Sequence, residues 1–276
     1  MGLNMKGHNM KFAIPTCAVA ALLAAAPVLA ADEPAKAETP AWTVTSNIGL
    51  TNAYFFRGLN YTRERPAVQG GFDIAHSSGF YAGVWGSNVD TDSVPNANVE
   101  IDVYGGYAQA IGPITADVGV LQFLFPGSKL PTGADFGTGD SRGASANTTE
   151  LYLSLTWQML NLKYSHAVTD YFGVQNTQNS GYVEANVNYE FLPSWTLNLH
   201  SGHQNVQNAG DLSFTDYRFG VTKAFEGGWQ VSAAGIVVDE KTKGFLTDYG
   251  CLRNTNGGVC EPYVDLQYQV MVKRTF

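Results

Sequence analysis

The residues of this chain that could do chemistry are few. His200 and His203 are the local histidine pair that could hold a metal or serve a hydrolase. Residues at i and i+3 of a β-strand point to opposite faces, so these two rings do not converge on one metal without a sharp bend. The glycines from Gly133 to Gly143 lack the Lys-Ser/Thr of a phosphate-binding loop and a following helix. We therefore expect no enzyme activity, no metal site and no cofactor.

Two cysteines stand in the longest C-terminal loop, where Cys251 and Cys260 flank Leu252 to Val259. An exported protein experiences an oxidising compartment, which favours a disulfide between them. Closing this loop would stabilise the fold by roughly 2.7 kcal/mol in the chain-entropy model. The alternative is a redox or metal pair, for which the CxxC spacing and a nearby histidine are both missing.

The N-terminus is typical of an export signal. Lys6 and Lys11 precede an apolar run from Phe12 to Leu29, and Val28-Leu29-Ala30 is a small-residue cleavage site. Two prolines interrupt the run, which disfavours a membrane-anchoring helix. We therefore predict that the chain is exported and that its signal peptide is cleaved.

Three segments follow from this prediction: a signal peptide at residues 1–30, an acidic, Pro-rich tail at 31–41, and one domain at 42–276. Removing the signal takes away two lysines and changes the net charge from -8 to -10. An acidic chain with few clustered basic residues is a poor candidate for nucleic-acid binding. The mature part has no apolar run of the ~20 residues that a membrane helix needs.

The end of the chain indicates how a membrane would be crossed instead. From Tyr263 to Phe276, apolar residues alternate with polar ones, and the chain ends on the phenylalanine. A period of two gives a strand one apolar and one polar face. About twelve such segments follow Trp42, and their connections alternate between short turns and long polar loops. This is the pattern of an all-β, antiparallel transmembrane barrel with short periplasmic turns and long extracellular loops.

The alternating residues on the clearest strands also assign the barrel interior. Val183, Val187 and Leu153 would face lipid, because their neighbours in sequence are polar or charged. The predicted pore-lining residues are Glu100, Asp102, Tyr104, Glu150, Lys163, Glu184, Glu190, Asp216, Arg218 and Asp265. Acids outnumber bases in this set, which predicts a weak preference for cations.

Tryptophan placement separates the barrel from a soluble β-sandwich. Trp42, Trp157, Trp195 and Trp229 lie beside the start of the domain or a short turn, and Trp85 is mid-strand. Indole rings favour the bilayer interface, so the four would form a periplasmic girdle. Core tryptophans of a sandwich would show no such sorting.

Four stretches of the sequence are characteristic: Tyr54-Phe55-Phe56-Arg57-Gly58, Gly79 to Asp90, Glu100 to Tyr107 and Phe125-Pro126-Gly127. They resemble the corresponding stretches of a known family, the TorF-type porins of proteobacterial outer membranes. The resemblance covers nearly the whole mature chain and implies an outer-membrane barrel for solute passage. Arg274 departs from the usual pattern of closing strands, where an apolar residue is typical.

The sequence therefore predicts an outer-membrane channel for passive diffusion of small hydrophilic solutes. Its expected partners are outer-membrane lipid, the solutes themselves, and the barrel-assembly machinery, which would recognise the closing strand ending at Phe276. A non-conducting barrel with a structural, adhesive or surface-binding role is the alternative. A lipid-modifying barrel enzyme would need a reactive His or Ser. Arg57, Arg63 and Arg65 are expected in a solvated outer loop or, less often, at an anion-binding mouth.

Overall fold

The structure is a computed structural model that describes residues 41–131, 137–239 and 266–276. Twelve antiparallel strands form a closed barrel, and two further strands form a separate small sheet. The strands are β1 (Trp42–Thr51), β2 (Phe55–Phe56), β3 (Leu59–Asn60), β4 (Ala67–His76), β5 (Phe80–Asn88), β6 (Val99–Ile111), β7 (Ile114–Leu124), β8 (Thr148–Trp157), β9 (Leu160–Ala167), β10 (Gly181–Leu192), β11 (Trp195–Asn205), β12 (Phe214–Ala224), β13 (Trp229–Val238) and β14 (Gln267–Thr275). Single 3-10 turns occur at Tyr171–Gly173, Gly210–Leu212 and Glu226–Gly228.

Each barrel strand pairs with its neighbours along the chain, and β1 pairs with β14 to close the sheet. The closing register runs from Asn47 opposite Thr275 to Thr51 opposite Met271. Beyond it, the Phe276 amide donates to the Ser46 carbonyl at 2.8 Å. Closure leaves no unpaired edge, as a strand in hydrocarbon requires. The predicted twelve-stranded antiparallel barrel is confirmed.

The two ends of the barrel differ in the length of their connections. Turns such as Ser77–Gly79 and Gly112–Pro113 join strands at one end, here called the short-turn end. Segments such as 52–66 and 125–147 join strands at the other, the long-loop end. Trp42, Trp157, Trp195 and Trp229 all lie at the short-turn end and are 40–57% exposed. They form the one-ended girdle that the sequence predicts.

The outer and inner faces of the wall differ in polarity. Val183 is 53% exposed on the outside, whereas its sequence neighbour Glu184 is buried inside at 9%. Leu151 and Glu150 show the same contrast at 50% and 2%. The outer surface is an apolar band, and the strand period of two turns the carboxylates inward, as the sequence predicts.

The first strand ends earlier than its sequence suggests. Strand character continues from Trp42 to Phe56, but β1 stops at Thr51. The chain then turns, and β2 pairs with β3 through Phe55 opposite Asn60 and Phe56 opposite Leu59. We call residues 54–61 the lumen hairpin, because its side chains are buried among those of the barrel interior. It occupies the long-loop end of the barrel.

Candidate functional site: the barrel interior

Arg57 fixes the lumen hairpin to the wall. Its Nη1 donates to Glu150 Oε1 at 2.9 Å and its Nη2 to Glu150 Oε2 at 2.6 Å, which makes a bidentate pair. Nη1 also donates to Gln204 Oε1 at 2.9 Å. The two charged side chains are only 8% and 2% exposed. A paired, hydrogen-bonded geometry of this kind is what makes buried charges tolerable.

Aromatic faces complete the Arg57 site. Its guanidinium carbon lies 4.2 Å from the centroid of the Tyr182 ring and 4.8 Å from that of Phe56. Burial lowers the pKa of Arg57, but the Glu150 carboxylate opposes this, and the net pKa is well above the usual arginine value. The guanidinium is therefore a permanent charge inside the barrel at its long-loop end.

An aromatic cluster fills the space beside this ion pair. Phe56 packs against Phe123 at 5.3 Å and against Phe172 at 5.8 Å between ring centroids. Phe172 also packs against Phe125 at 5.9 Å, and Tyr61 packs against Phe125 at 6.3 Å. Hairpin and loop residues thus form an apolar core inside the barrel at the long-loop end.

Strain in the loop backbone accompanies this packing. Phe172 has a positive φ of 47° and Arg57 one of 48°. Non-glycine residues adopt this conformation only where surrounding structure over-determines it. Gly58 follows at φ 77°, where a Cβ would lie 2.7 Å from both Asp216 Cβ and Val238 Cγ2. The hairpin therefore depends on glycine at this position.

A second polar network surrounds His200, below the hairpin. Its Nε2 lies 2.8 Å from Asp216 Oδ2, and its Nδ1 lies 2.7 Å from Asn186 Oδ1. Tyr182 donates its hydroxyl to Asp216 Oδ1 at 2.8 Å. Glu184 Oε2 lies 3.6 Å from the His200 ring. His203 points to the opposite face and is exposed, so the predicted separation of the two histidines is correct.

Phenols and carboxylates line the interior nearer the short-turn end. Tyr81 donates to Asp117 Oδ1 at 2.6 Å and also contacts the Tyr152 hydroxyl. Tyr104 donates to Asp73 across the wall. Asp73 and Asp117 are partly exposed, unlike the carboxylates nearer the hairpin. Water therefore reaches this half of the interior.

Nine of the ten predicted pore-lining residues lie in the described chain, and all nine are on the inward face. They are Glu100, Asp102, Tyr104, Glu150, Lys163, Glu184, Glu190, Asp216 and Arg218. Asp265 lies outside the described residues, as do Cys251 and Cys260 and the predicted signal peptide. Lys163 lies 4.5 Å above the Tyr152 ring. Glu190 accepts from the Ser194 amide at 2.8 Å, which places it at the rim.

The three arginines of the first loop have different positions. The expectation of a solvated charged loop is wrong for Arg57, which the ion pair to Glu150 holds inside. Arg63 and Arg65 remain at the surface and pair with Asp92 and Asp90 at 2.7 and 2.6 Å. The sequence signal for burial was the aromatic pair Phe55-Phe56 directly before an Arg-Gly dipeptide.

No set of three or more His, Cys, Asp or Glu side chains in the described chain is arranged as a metal centre. Among the same residues, no helix has the length and apolar character to span a membrane.

Several solved structures of porins and channels are similar to this chain. The KdgM porin matches with a TM-score of 0.51 at 10% identity, covering 85% of this chain and 99% of its own. The NanC porin matches with a TM-score of 0.48 at 10% identity, over 85% and 99%. An outer-membrane channel from Pseudomonas putida F1 gives 0.46 at 10%, over 89% and 100%. The likeness to KdgM, at this identity, concerns the fold.

Sequence comparison places the chain in a family. No curated protein matches it. The more specific resemblance to TorF-type porins is not confirmed. A model of a bacterial protein family of unknown function, Gcw_chp, matches residues 34–276, which is nearly all of the predicted mature chain. The chain belongs to the Gcw_chp family of bacterial proteins.

Proposed function

We propose that this protein is an outer-membrane channel for passive diffusion of small hydrophilic solutes. The observation that carries the proposal is a closed barrel with an apolar outer band and a polar interior that is partly exposed toward the short-turn end. A twelve-stranded wall encloses a lumen between those of eight-stranded and sixteen-stranded barrels, which suits a narrow pore. KdgM, which shares the fold, is itself a porin.

The location and partners follow from the same barrel. An apolar band on a closed sheet is stable in a bilayer, and the even strand number with short turns at one end is typical of bacterial outer membranes. The short-turn end would then face the periplasm. Export through a cleaved signal and assembly through the closing strand at Phe276 are parts of the same proposal.

The hairpin restricts this channel at its outer mouth. Because Arg57, Phe56 and the surrounding loops fill the long-loop end, conduction through the described structure requires movement of the hairpin. The buried hairpin is also the observation that favours the second candidate, a non-conducting barrel with a surface role. The two candidates differ in whether any variant conducts.

Planar-bilayer recording of wild-type protein beside Arg57→Ala distinguishes them. A plugged channel gives low or brief currents for the wild type and larger, longer openings for the variant. Arg65→Ala is the control, because Arg65 is 74% exposed and lies outside the lumen. Silence from all three proteins, with folded barrels verified in the membrane, would reject the channel and leave the non-conducting barrel.

A weak cation preference is part of the proposal. The inward acids of the described strands outnumber the inward bases even after Arg57 is counted with the bases. The acids are Asp73, Glu100, Asp102, Asp117, Glu150, Glu184, Glu190 and Asp216, and the bases are Arg57, Lys163, Arg218 and Lys273. A confined negative lumen concentrates cations. KdgM has been solved with oligogalacturonate, a polyanion that this interior would repel.

Reversal potentials under a potassium chloride gradient test the preference. We expect a modest shift toward the potassium potential at low salt, fading at molar salt, where screening falls to ~3 Å. Anion preference at low salt would contradict the charge argument without affecting the channel proposal.

A further inference from the structure

Two carboxylates at the top of β6 lack partners. Glu100 is 0% exposed and Asp102 is 1% exposed. Neither Glu100 oxygen, nor Asp102 Oδ1, lies in hydrogen-bond geometry with a group of the described chain. Almost every buried polar atom in a native protein has a partner, so three carboxylate oxygens without a well-formed hydrogen bond, on two neighbouring side chains, indicate a missing ligand.

The two carboxylates face the same space. Residues at i and i+2 of a strand share a face and lie roughly 6.6 Å apart along it, so both carboxylates can reach one ion. Glu100 stands opposite Ser87 on β5, and Asp102 stands opposite Phe123 on β7. The Tyr54 hydroxyl of the lumen hairpin faces Glu100 as a weak hydrogen-bond partner and interacts electrostatically with both acids. The site is thus enclosed by wall on one side and hairpin on the other.

The nearby bases do not neutralise this pair. Arg57 is bound bidentately to Glu150, whereas Arg63 and Arg65 pair with acids of the outer loop. Glu150 also interacts electrostatically with Asp102. Two ionised carboxylates buried without a counter-charge would strongly destabilise the barrel. A bound cation is the group that would remove both the charge and the hydrogen-bonding deficit.

We propose that Glu100 and Asp102 bind a calcium ion beneath the lumen hairpin. Two carboxylates supply two negative charges, which match a divalent cation. The donors are all oxygen, which suits calcium or magnesium and not zinc or copper. Calcium accepts six to eight oxygen ligands in irregular geometry, and waters, carbonyls or the Tyr54 hydroxyl can complete the shell.

An organic cation is too large for this site, and the coordination geometry of magnesium does not suit it. Side chains 0% and 1% exposed leave no passage for a bulky amine. Magnesium requires near-ideal octahedral geometry, which two carboxylates from one strand and a hydroxyl from the hairpin do not provide, whereas calcium tolerates their irregular arrangement. The described residues contain no cluster of three or more His, Cys, Asp or Glu side chains that could hold a metal. The proposed site is of a different kind, because it has two acidic side chains.

Equilibrium dialysis with calcium tests the site in the purified, detergent-solubilised chain at physiological ionic strength. We expect about one calcium per chain, with half-saturation at roughly 0.1–1 mM, the range of extracellular calcium modules. Calcium should also raise the thermal unfolding midpoint, because it binds the folded state alone. Magnesium and potassium at equal concentration should give smaller shifts.

The variant is Glu100→Gln with Asp102→Asn, which keeps the side-chain shape and removes both charges. The matched control is Asp211→Asn with Glu226→Gln, which removes two exposed loop charges. We expect at least a tenfold loss of calcium affinity in the first protein and none in the control. If the double variant does not fold, Glu100→Gln alone replaces it, since Glu100 contributes two of the three unpartnered oxygens.

Two results would overturn the site. If the wild-type protein binds no calcium at millimolar concentration, Glu100 and Asp102 are buried as neutral acids. Equal binding by the variant and the wild type would place the calcium elsewhere. Neither result bears on conduction, because the site is tested by binding and unfolding, without current measurement.

Discussion

At the scale of residues, the interior depends on Arg57. It pairs with Glu150 on β8, donates a hydrogen bond to the Gln204 side-chain oxygen on β11, and lies over the Tyr182 ring of β10. One side chain from a loop thereby connects three wall strands. The buried pair by itself is weak evidence of stability, but removal of one partner leaves the other charge uncompensated.

Replacing Arg57 with alanine should therefore destabilise the folded barrel by about 3–5 kcal/mol, as observed when one partner of a buried ion pair is removed. The measurement is the free energy of unfolding in denaturant and detergent. Arg57→Ala combined with Glu150→Gln should recover part of the loss, because no lone charge remains. Equal destabilisation by the single and double variants would contradict the role of the ion pair.

Gly58 tests how closely the hairpin fits the wall. Gly58→Ala introduces a Cβ 2.7 Å from Asp216 and Val238 at a φ of 77°. We expect a loss of about 1–3 kcal/mol from overpacking, in addition to about 1–2 kcal/mol from the left-handed conformation. The measurement is the denaturant midpoint.

Gly112→Ala is the matched control. Gly112 also has a positive φ, 60°, but open space surrounds its Cβ position. It should show the conformational cost alone. If the two variants unfold at the same midpoint, the hairpin does not pack against β12 and β13 as the structure has it.

At the scale of elements, β14 closes the sheet. It pairs with β13 through Ile236 opposite Gln267 and with β1 through Asn47 opposite Thr275. Arg274, which departs from the usual closing-strand pattern, lies 5.2 Å from the Trp229 ring centroid and 4.5 Å from that of Phe276. Its charge is therefore supported by aromatic faces at the girdle.

Deleting Phe276 should reduce assembly. The deletion removes the hydrogen bonds that Phe276 exchanges with Ser46, each worth about 0.5–1.5 kcal/mol, and the ring on which Arg274 rests. The measurement is the yield of folded protein in the outer membrane. Phe225→Ala is the control, because Phe225 is a similarly exposed ring that does not belong to the closing pair. Equal yields would show that the chain terminus has no special part in assembly.

At the scale of the whole molecule, the closed hydrogen-bonded wall determines behaviour in detergent. Each barrel strand is bonded on both sides, so opening the wall at one seam exposes backbone groups that hydrocarbon cannot satisfy. Unfolding should therefore be cooperative and slow at room temperature.

Unboiled and boiled samples should migrate differently in electrophoresis for this reason. The compact barrel resists detergent until heated, and the unfolded chain then binds more of it. Recovery of the protein in the soluble fraction without detergent, with identical migration of the two samples, would argue against a membrane barrel.

The strands of the barrel wall and their two faces could be predicted from the sequence alone. The period of two from Val183 to Phe191 assigns both faces without any tertiary information, because a slip of one residue would expose Glu184 and Glu190 to hydrocarbon. The loop lengths and the positions of the girdle tryptophans distinguished the short-turn end of the barrel from the long-loop end. Strand number and the inward acids could be predicted because each depends on residues near one another in the chain.

The interior could be assigned only from the tertiary structure. Arg57 and Glu150 are 93 positions apart, and the aromatic pair before Arg57 does not identify the carboxylate that holds its charge inside. The chain leaves β1 at Thr51, five positions before the apolar pattern ends. Phe56 gains aromatic contacts with Tyr61 of its own hairpin and with two distant residues, Phe123 and Phe172. Alternation along a strand is a local property, whereas the filling of a lumen depends on contacts between segments that only the closed barrel brings together.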